Sequence, residues 1–186
     1  WGATNKRDGA SGMIAVTDGD TYNYSIELLE AKFPLLIRRY EYNVESGVGA
    51  GRHRGGFGLV REYEIESDGV VLHASYGRTA TPPWSIDGGT PGSLNGIEVL
   101  RGKTQRWLTR PSDFPLDRGD RVRICTGGGG GWGEPHTRDP ESVACDVRDG
   151  LVTAGDAMAI YGVVIHPETQ NVDHAATEKL RAKFPG

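Results

Sequence analysis

Five consecutive glycines, Gly127, Gly128, Gly129, Gly130 and Gly131, constrain this chain more than any other feature. Without Cβ atoms the run carries no hydrophobic pattern, and it loses more backbone entropy on ordering than any other residue type. It must therefore be a connector, either loose or packed so tightly that a side chain would strike a neighbouring backbone, or else a nest of amides converging on an anion. It is not a phosphate-binding P-loop, because Trp132-Gly133-Glu134-Pro135 follows in place of Gly-Lys-Ser or Gly-Lys-Thr. The dinucleotide pattern it trivially satisfies lacks the helix and acidic residue of a βαβ unit. Glycine is abundant elsewhere too: 28 of 186 residues, about twice the usual ~7%. No three-residue period runs through it, and 37% hydrophobic residues with four Trp and seven Tyr are enough for a buried core.

The excess glycine falls between short β-compatible runs. A strand over residues 11–16 leads to a turn at Asp18-Gly19-Asp20. Ser25 caps a short helix that ends at Pro34, and residues 35–42 and 59–65 alternate by face as a long antiparallel hairpin, each with one solvated side. A third strand covers residues 70–75, a second hairpin joins 97–100 to 105–108 about Arg101-Gly102-Lys103, and another strand covers 121–125. After the glycine run the period becomes helical over 140–148, 154–161 and 173–184, with Asp139 and Thr153 as N-caps and Pro140 at a first helical position. The reading is α+β: a β-rich antiparallel barrel or sandwich over residues 1–126, a glycine-rich connector over 127–135, and a helical C-terminal segment over 136–186 packed on it, together one domain. The last helix reads as amphipathic, with Ala175, Leu180 and Phe184 docking and Lys179, Arg181 and Lys183 outside.

A net charge of −4 with interspersed signs gives no basic footprint for a phosphate backbone, so nucleic acid is not expected as a partner. No apolar stretch approaches the ~18 residues of a membrane span and no secretory signal opens the chain, so no membrane partner and a cytoplasmic location are expected. Cys125 and Cys145 form no CxxC pair and read as reduced buried thiols. The start at Trp1-Gly2-Ala3 without a Met reads as the interior of a longer protein.

Gly49-Ala50-Gly51-Arg52-His53-Arg54-Gly55-Gly56 sets two guanidinium groups and an imidazole on a glycine-framed turn. That composition suits a carboxylate or phosphate clamp, and equally an ordinary hairpin loop with solvated arginines. Arg52, His53, Arg54, the five glycines and Trp132 are the ligand or interface candidates. His53, His73, His136, His166 and His174 form no HxxxH or HExxH pair, so no metal site is expected in this chain. There is no GxSxG elbow for a nucleophilic serine, and no catalytic residue emerges.

The order of motifs says more than any one of them. Trp1-Gly2-Ala3, Ile26-Glu27-Leu28-Leu29-Glu30-Ala31-Lys32-Phe33-Pro34, the segment from Gly49 through Phe57-Gly58, Pro82-Pro83-Trp84, Gly88-Gly89-Thr90-Pro91-Gly92, the glycine run, Arg138-Asp139-Pro140, Asp146-Val147-Arg148-Asp149-Gly150 and Tyr161-Gly162-Val163-Val164 follow one another. In that order they resemble the hydantoinase B/oxoprolinase family, up to about Ile165. Tyr22-Asn23-Tyr24-Ser25 departs from the Asn-Thr-Pro-type stretch of the family, and the tail after His166 has no counterpart in the pattern.

The resemblance implies the C-terminal portion of a B-type subunit. Such a subunit works with a hydantoinase A-type partner that binds ATP and phosphorylates the substrate. It further implies a divalent metal held in the upstream part of the same B-type subunit, and a small cyclic amide substrate of hydantoin, oxoproline or lactam type. Acetone- and acetophenone-type ketone carboxylases share the region, which leaves a ketone substrate open, as well as a non-catalytic assembly role.

Overall fold

The computed structural model describes residues 1–13 and 23–184. Residues 14–16 of the strand expected over 11–16, and the whole turn at 18–20, lie outside the described residues, and 11–13 form no strand. Helix α1 (Ile26–Lys32) leads into strand β1 (Leu35–Tyr42). Then come β2 (Leu59–Ile65), β3 (Val70–Leu72), β4 (Gly96–Arg101), β5 (Thr104–Leu108), β6 (Phe114–Leu116), β7 (Arg121–Cys125) and three further helices, α2 (Pro140–Arg148), α3 (Ala154–Tyr161) and α4 (His174–Arg181).

Five strands form one antiparallel sheet in the order β1-β2-β7-β4-β5, and β3 pairs with β6 in a second. Both expected hairpins form, with Leu35 opposite Ile65 in the first and Ile97 opposite Leu108 in the second. Among the described residues the large sheet does not close, since β1 and β5 are its edges, so the architecture is sandwich-like α+β rather than a barrel. The small sheet is partly unanticipated, because three residues with Pro115 at the centre give little strand signal. It covers one face of the large sheet, where Ile65, Ile97, Val99, Val122 and Leu116 make an apolar core.

The opposite face holds an alternating row. Arg39, Glu62, Arg123, Glu98 and Trp107 are successive register partners across all five strands. Sequence alternation marks this face as solvated, yet the Glu62 and Glu98 side chains are only 2% and 1% exposed. The Arg123 guanidinium lies between them, donating to Glu62 at 2.8 Å and to Glu98 at 2.8 Å, and Arg121 adds a 3.0 Å bond to Glu62. Cross-strand opposite charges bury one another here, a pairing that no single strand's pattern displays.

The five-glycine run is a fully packed strand. Its contacts repeat every third residue: ideal Cβ atoms on Gly127 and Gly130 would meet Ser93 O and Trp84 O, and those on Gly128 and Gly131 would meet Gly47 O and Ala50 O. A Cβ on Gly129, which faces the third way, would overlap Trp1 O. Three residues per turn is the period of a polyproline-II-type backbone, whose carbonyls and amides point outward for neighbours to bind. The neighbours do bind: Gly49 N donates to Gly129 O (2.8 Å), Gly129 N to Gly56 O (2.9 Å), Gly131 N to Thr90 O (3.0 Å) and Ala3 N to Gly130 O (2.9 Å). Glycine recurs in the surrounding segments for the same reason, with Gly55 against Gly129 and Gly92 against Gly128.

Three helices start where the sequence places their caps, at Ser25, Asp139 and Thr153, while Asp173, read as the first residue of the last helix, is instead its cap. Each of the four accepts a backbone N–H in the first turn, and Gly162 ends α3 at φ 62°. A second core, Ala50, Val143, Ala157, Tyr161 and Val163, joins α2 and α3 to the glycine-framed loop. The amphipathic reading of the tail needs correction. Ala175 is exposed, whereas Thr177 is buried, its Oγ1 accepting Val164 N at 3.0 Å. Arg181 turns inward to the carbonyls of Arg138 (2.6 Å) and Tyr161 (3.1 Å), because a guanidinium can satisfy several buried acceptors that an apolar side chain cannot. Cys125 is buried as expected, and Cys145 is exposed.

Gly129→Ala should cost about 3 kcal/mol or abolish folding, since its methyl group would have to displace backbone rather than a side chain. Gly77→Ala, with open space around it, should shift stability by less than about 0.5 kcal/mol. Urea denaturation of both variants checks the pair.

Candidate functional site

The structure separates the three residues of the Arg52-His53-Arg54 turn. His53 is locked by its backbone, which exchanges hydrogen bonds with Trp132 at 3.0 and 2.9 Å, and its ring lies 6.2 Å from the Trp132 ring. Arg54 points into the protein, while Arg52 stays exposed.

Arg54 holds the Asp146 carboxylate through Nε at 3.0–3.1 Å and Nη2 at 2.8 Å, with both side chains nearly buried. Asp146 also accepts Arg138 Nη2 at 2.9 Å, and Arg138 grips Asp8 with both terminal nitrogens at 2.7 Å. Asp8 in turn accepts the Arg54 amide at 2.9 Å. Two guanidinium groups and two carboxylates thus neutralise each other in a chain that joins the N-terminal segment, the glycine-framed loop and α2. Burial alone would push the Asp8 carboxyl up, but the hydrogen bond and charge of Arg138 outweigh it and leave the group below its ordinary value. Burial by itself would lower the Arg138 pKa, and Asp8 and Asp146 raise it instead, so the guanidinium stays charged at every accessible pH. Desolvation pushes the Tyr161 hydroxyl up to about 12 and also raises the Cys125 thiol, so neither supplies an anion near neutrality.

The glycine amides are engaged. Gly127 N donates to Asn95 Oδ1 (2.7 Å) and Gly128 N to Ser93 Oγ (2.8 Å), and Gly129 and Gly131 bind backbone carbonyls. The run is built to hold protein, and it does not fit a nucleotide phosphate. Among the described residues no three His, Cys, Asp or Glu side chains converge as metal donors, so these residues do not fit a catalytic metal ion either.

Beside the ion chain lies a cleft of about 380 Å³, bordered by Lys6, Arg7, Arg52 and His53, with Asp8 and Asp139 also in its lining. Sequence reasoning found Arg52 and His53 but missed Lys6, Arg7 and the Asp8–Arg138–Asp146 chain. The signal for the chain was present only as Arg138-Asp139-Pro140 and Asp146-Val147-Arg148 within the motif order.

Asp146→Asn leaves two guanidinium groups short of a counter-charge and should destabilise the fold by about 3–5 kcal/mol, whereas Arg52→Ala should change stability by under about 0.5 kcal/mol. Thermal melts distinguish them. For Asp8 the sign is set by its lowered folded pKa: the unfolded chain binds the proton more readily, so the contribution is complete above the unfolded value near 3.8 and is lost as pH falls through the folded value. The melting-temperature gap between the parent and Asp8→Asn should therefore be constant from pH 5 upward and shrink below about pH 4.

A hydantoinase B/oxoprolinase family model matches residues 1–135. The B-type subunit described for a D-/L-hydantoinase of Pseudomonas sp. (strain NS671) is 32% identical over 185 residues, covering 97% of this chain and 31% of the relative. The beta chain of the Pseudomonas jessenii caprolactamase is 37% identical over 168 residues, covering 84% and 28%. Among solved structures, the ATP-dependent caprolactamase of that organism superposes with a TM-score of 0.70 at 32% identity over 85% of this chain and 28% of that one. Nucleotide-free acetone carboxylase superposes at 0.77 with 21% identity over 97% and 28%, a likeness of fold. The chain thus spans about a third of the length of these relatives. The 97% coverage carries the likeness past His166 and corrects the reading of the tail as lacking a counterpart. With the motif order, the match over residues 1–135 and the shared fold in agreement, the chain belongs to the hydantoinase B/oxoprolinase family.

Proposed function

We propose that this chain is the C-terminal part of the B-type subunit of an ATP-dependent amidohydrolase that opens small cyclic amides of hydantoin, oxoproline or lactam type. The observation that carries the reading is the 32% identity to an ATP-dependent caprolactamase over a superposable 85% of the chain. In this proposal an A-type partner binds ATP, and a divalent metal sits in the upstream part of the B-type subunit. The cytoplasm is the compartment, and the free thiols Cys125 and Cys145 suit it.

The role of the present residues follows from how they are engaged. Opening a stable ring amide requires an activated electrophile to be kept from water until it is captured, which demands rigid walls. A strand clamped by backbone from three sides and locked by a buried ion chain is such a wall. The 1–126, 127–135 and 136–186 segments are proposed to act as one body, since Arg54 and Arg138 join the first segment to the last and the Gly129 and Gly131 amides bind the connector to the first. No residue here is assigned to bond breaking.

A second reading, part of a ketone carboxylase, draws on the TM-score of 0.77 to acetone carboxylase, where the fold alone is shared. A third is a non-catalytic assembly module. Co-expression of the complete B-type subunit carrying this chain with its A-type partner tests all three. The proposal expects ATP hydrolysis coupled to ring opening of caprolactam, hydantoin or 5-oxoproline. ATP-dependent incorporation of bicarbonate into acetone or acetophenone would replace it with the second reading, and complex formation without either reaction with the third. The 186-residue chain by itself should hydrolyse neither ATP nor amide.

A further inference from the structure

The cleft beside the ion chain carries more positive charge than its surroundings explain. Lys6, Arg7 and Arg52 border it, all exposed, and none is paired with a carboxylate among the described residues. Other exposed arginines, Arg118 among them, also lack a carboxylate among the described residues, but here three such cations border one cleft, beside Arg54 and Arg138, which hold carboxylates at 2.8 and 2.7 Å. The two carboxylates that do border the cleft are committed. Asp8 is gripped by Arg138 and the Arg54 amide, and Asp139 caps α2 by accepting the Ser142 amide and hydroxyl at 3.0 and 2.9 Å. Arg138, on the cleft floor, is 4% exposed, and its Nε is buried with no partner. The His53 Nδ1 stands 3.7 Å from Asp8 Oδ1, so the imidazole lies at the same wall.

Three unneutralised cations on a rigid rim differ from three scattered surface charges. The backbone of Arg52 is fixed, its amide bonded to Gly133 O at 3.1 Å and its carbonyl accepting Arg138 Nη1 at 3.3 Å. Lys6 and Arg7 sit on a turn closed by Thr4, whose Oγ1 accepts both amides at 3.3 and 3.2 Å. The backbone that carries the three cations is thus ordered before an anion arrives, the side chains alone remain to be ordered on binding, and guanidinium forks match the oxygens of a tetrahedral dianion. We infer that this cleft binds a phosphoryl group, as free phosphate or a phosphate monoester, through Lys6, Arg7 and Arg52. The inference does not depend on the amidohydrolase reading.

Titration of the 186-residue chain with inorganic phosphate, with glycerol phosphate and with acetate, each at ionic strength held constant by chloride, tests it by amide chemical shifts of residues 51–54 and by calorimetry. Saturable binding of a phosphate species is expected, weakened at least tenfold by Arg52→Ala and unchanged by Arg118→Ala, an exposed cation outside the cleft. Tighter binding of glycerol phosphate would identify a monoester as the ligand, and tighter binding of phosphate the free ion. Either supports the site. Shifts no larger than chloride produces, equal loss in both variants, or acetate binding as tightly as phosphate would overturn it, the last pointing to an acidic segment of a partner. Unchanged melting of Arg52→Ala confirms that loss of binding is not loss of fold.

Discussion

Backbone packed directly on backbone is the constraint on which this structure turns. An ordinary core separates chain segments by the side chains between them, but around residues 127–131 the neighbours approach until a single methyl group would overlap a carbonyl oxygen. Such proximity removes the hydrophobic payload that usually stabilises an interior and replaces it with close dispersion contacts and a dense set of amide hydrogen bonds. The three-residue period of the contacts lets one strand serve three sets of neighbours at once, where a β-strand serves two. It also explains why glycine is abundant in segments far apart in sequence: each must present a face without side chains to the same central strand.

Such a bundle has little to resist shearing apart except its hydrogen bonds, and the ion chain of Asp8, Arg138, Asp146 and Arg54 lies beside it. Its charges are balanced and its oxygens are multiply bonded, the condition under which a buried ionic group is tolerated. The same logic operates on the large sheet, where Glu62 and Glu98 are buried by Arg123. In both places arginine is used as a planar, multidentate cross-link between segments, which lysine's single ammonium could not supply. Arg181 extends the pattern by tying α4 to the carbonyls of Arg138 and Tyr161.

These arrangements bear on function by exclusion and by residue. Four of the five glycine amides, both inner arginines and both inner aspartates are engaged in holding the body together, which is the basis of the rigid-wall role proposed for this chain. Arg52, Lys6 and Arg7 are the charged groups left on its rim without partners among the described residues, and Arg52 stands out because its neighbour Arg54, two residues away on the same loop, is wholly committed inward.

The sequence alone determined the local structure: strand alternation, both hairpins, and the caps at Ser25, Asp139 and Thr153, because these depend on side chains within a few residues of one another. It also determined the family, since the order of short motifs survives even where no single motif is diagnostic. It determined that 127–131 must be glycine-tolerant but left connector and anion nest both standing, because a run without side chains contains no information about what approaches it. Only the tertiary structure decided that. It likewise decided which arginine of Arg52-His53-Arg54 faces inward, as Arg54 finds Asp146 92 residues away and Asp8 finds Arg138 at a separation of 130. Charge attraction is indifferent to sequence distance, so the partner of a buried ion becomes visible only when the chain has folded around it.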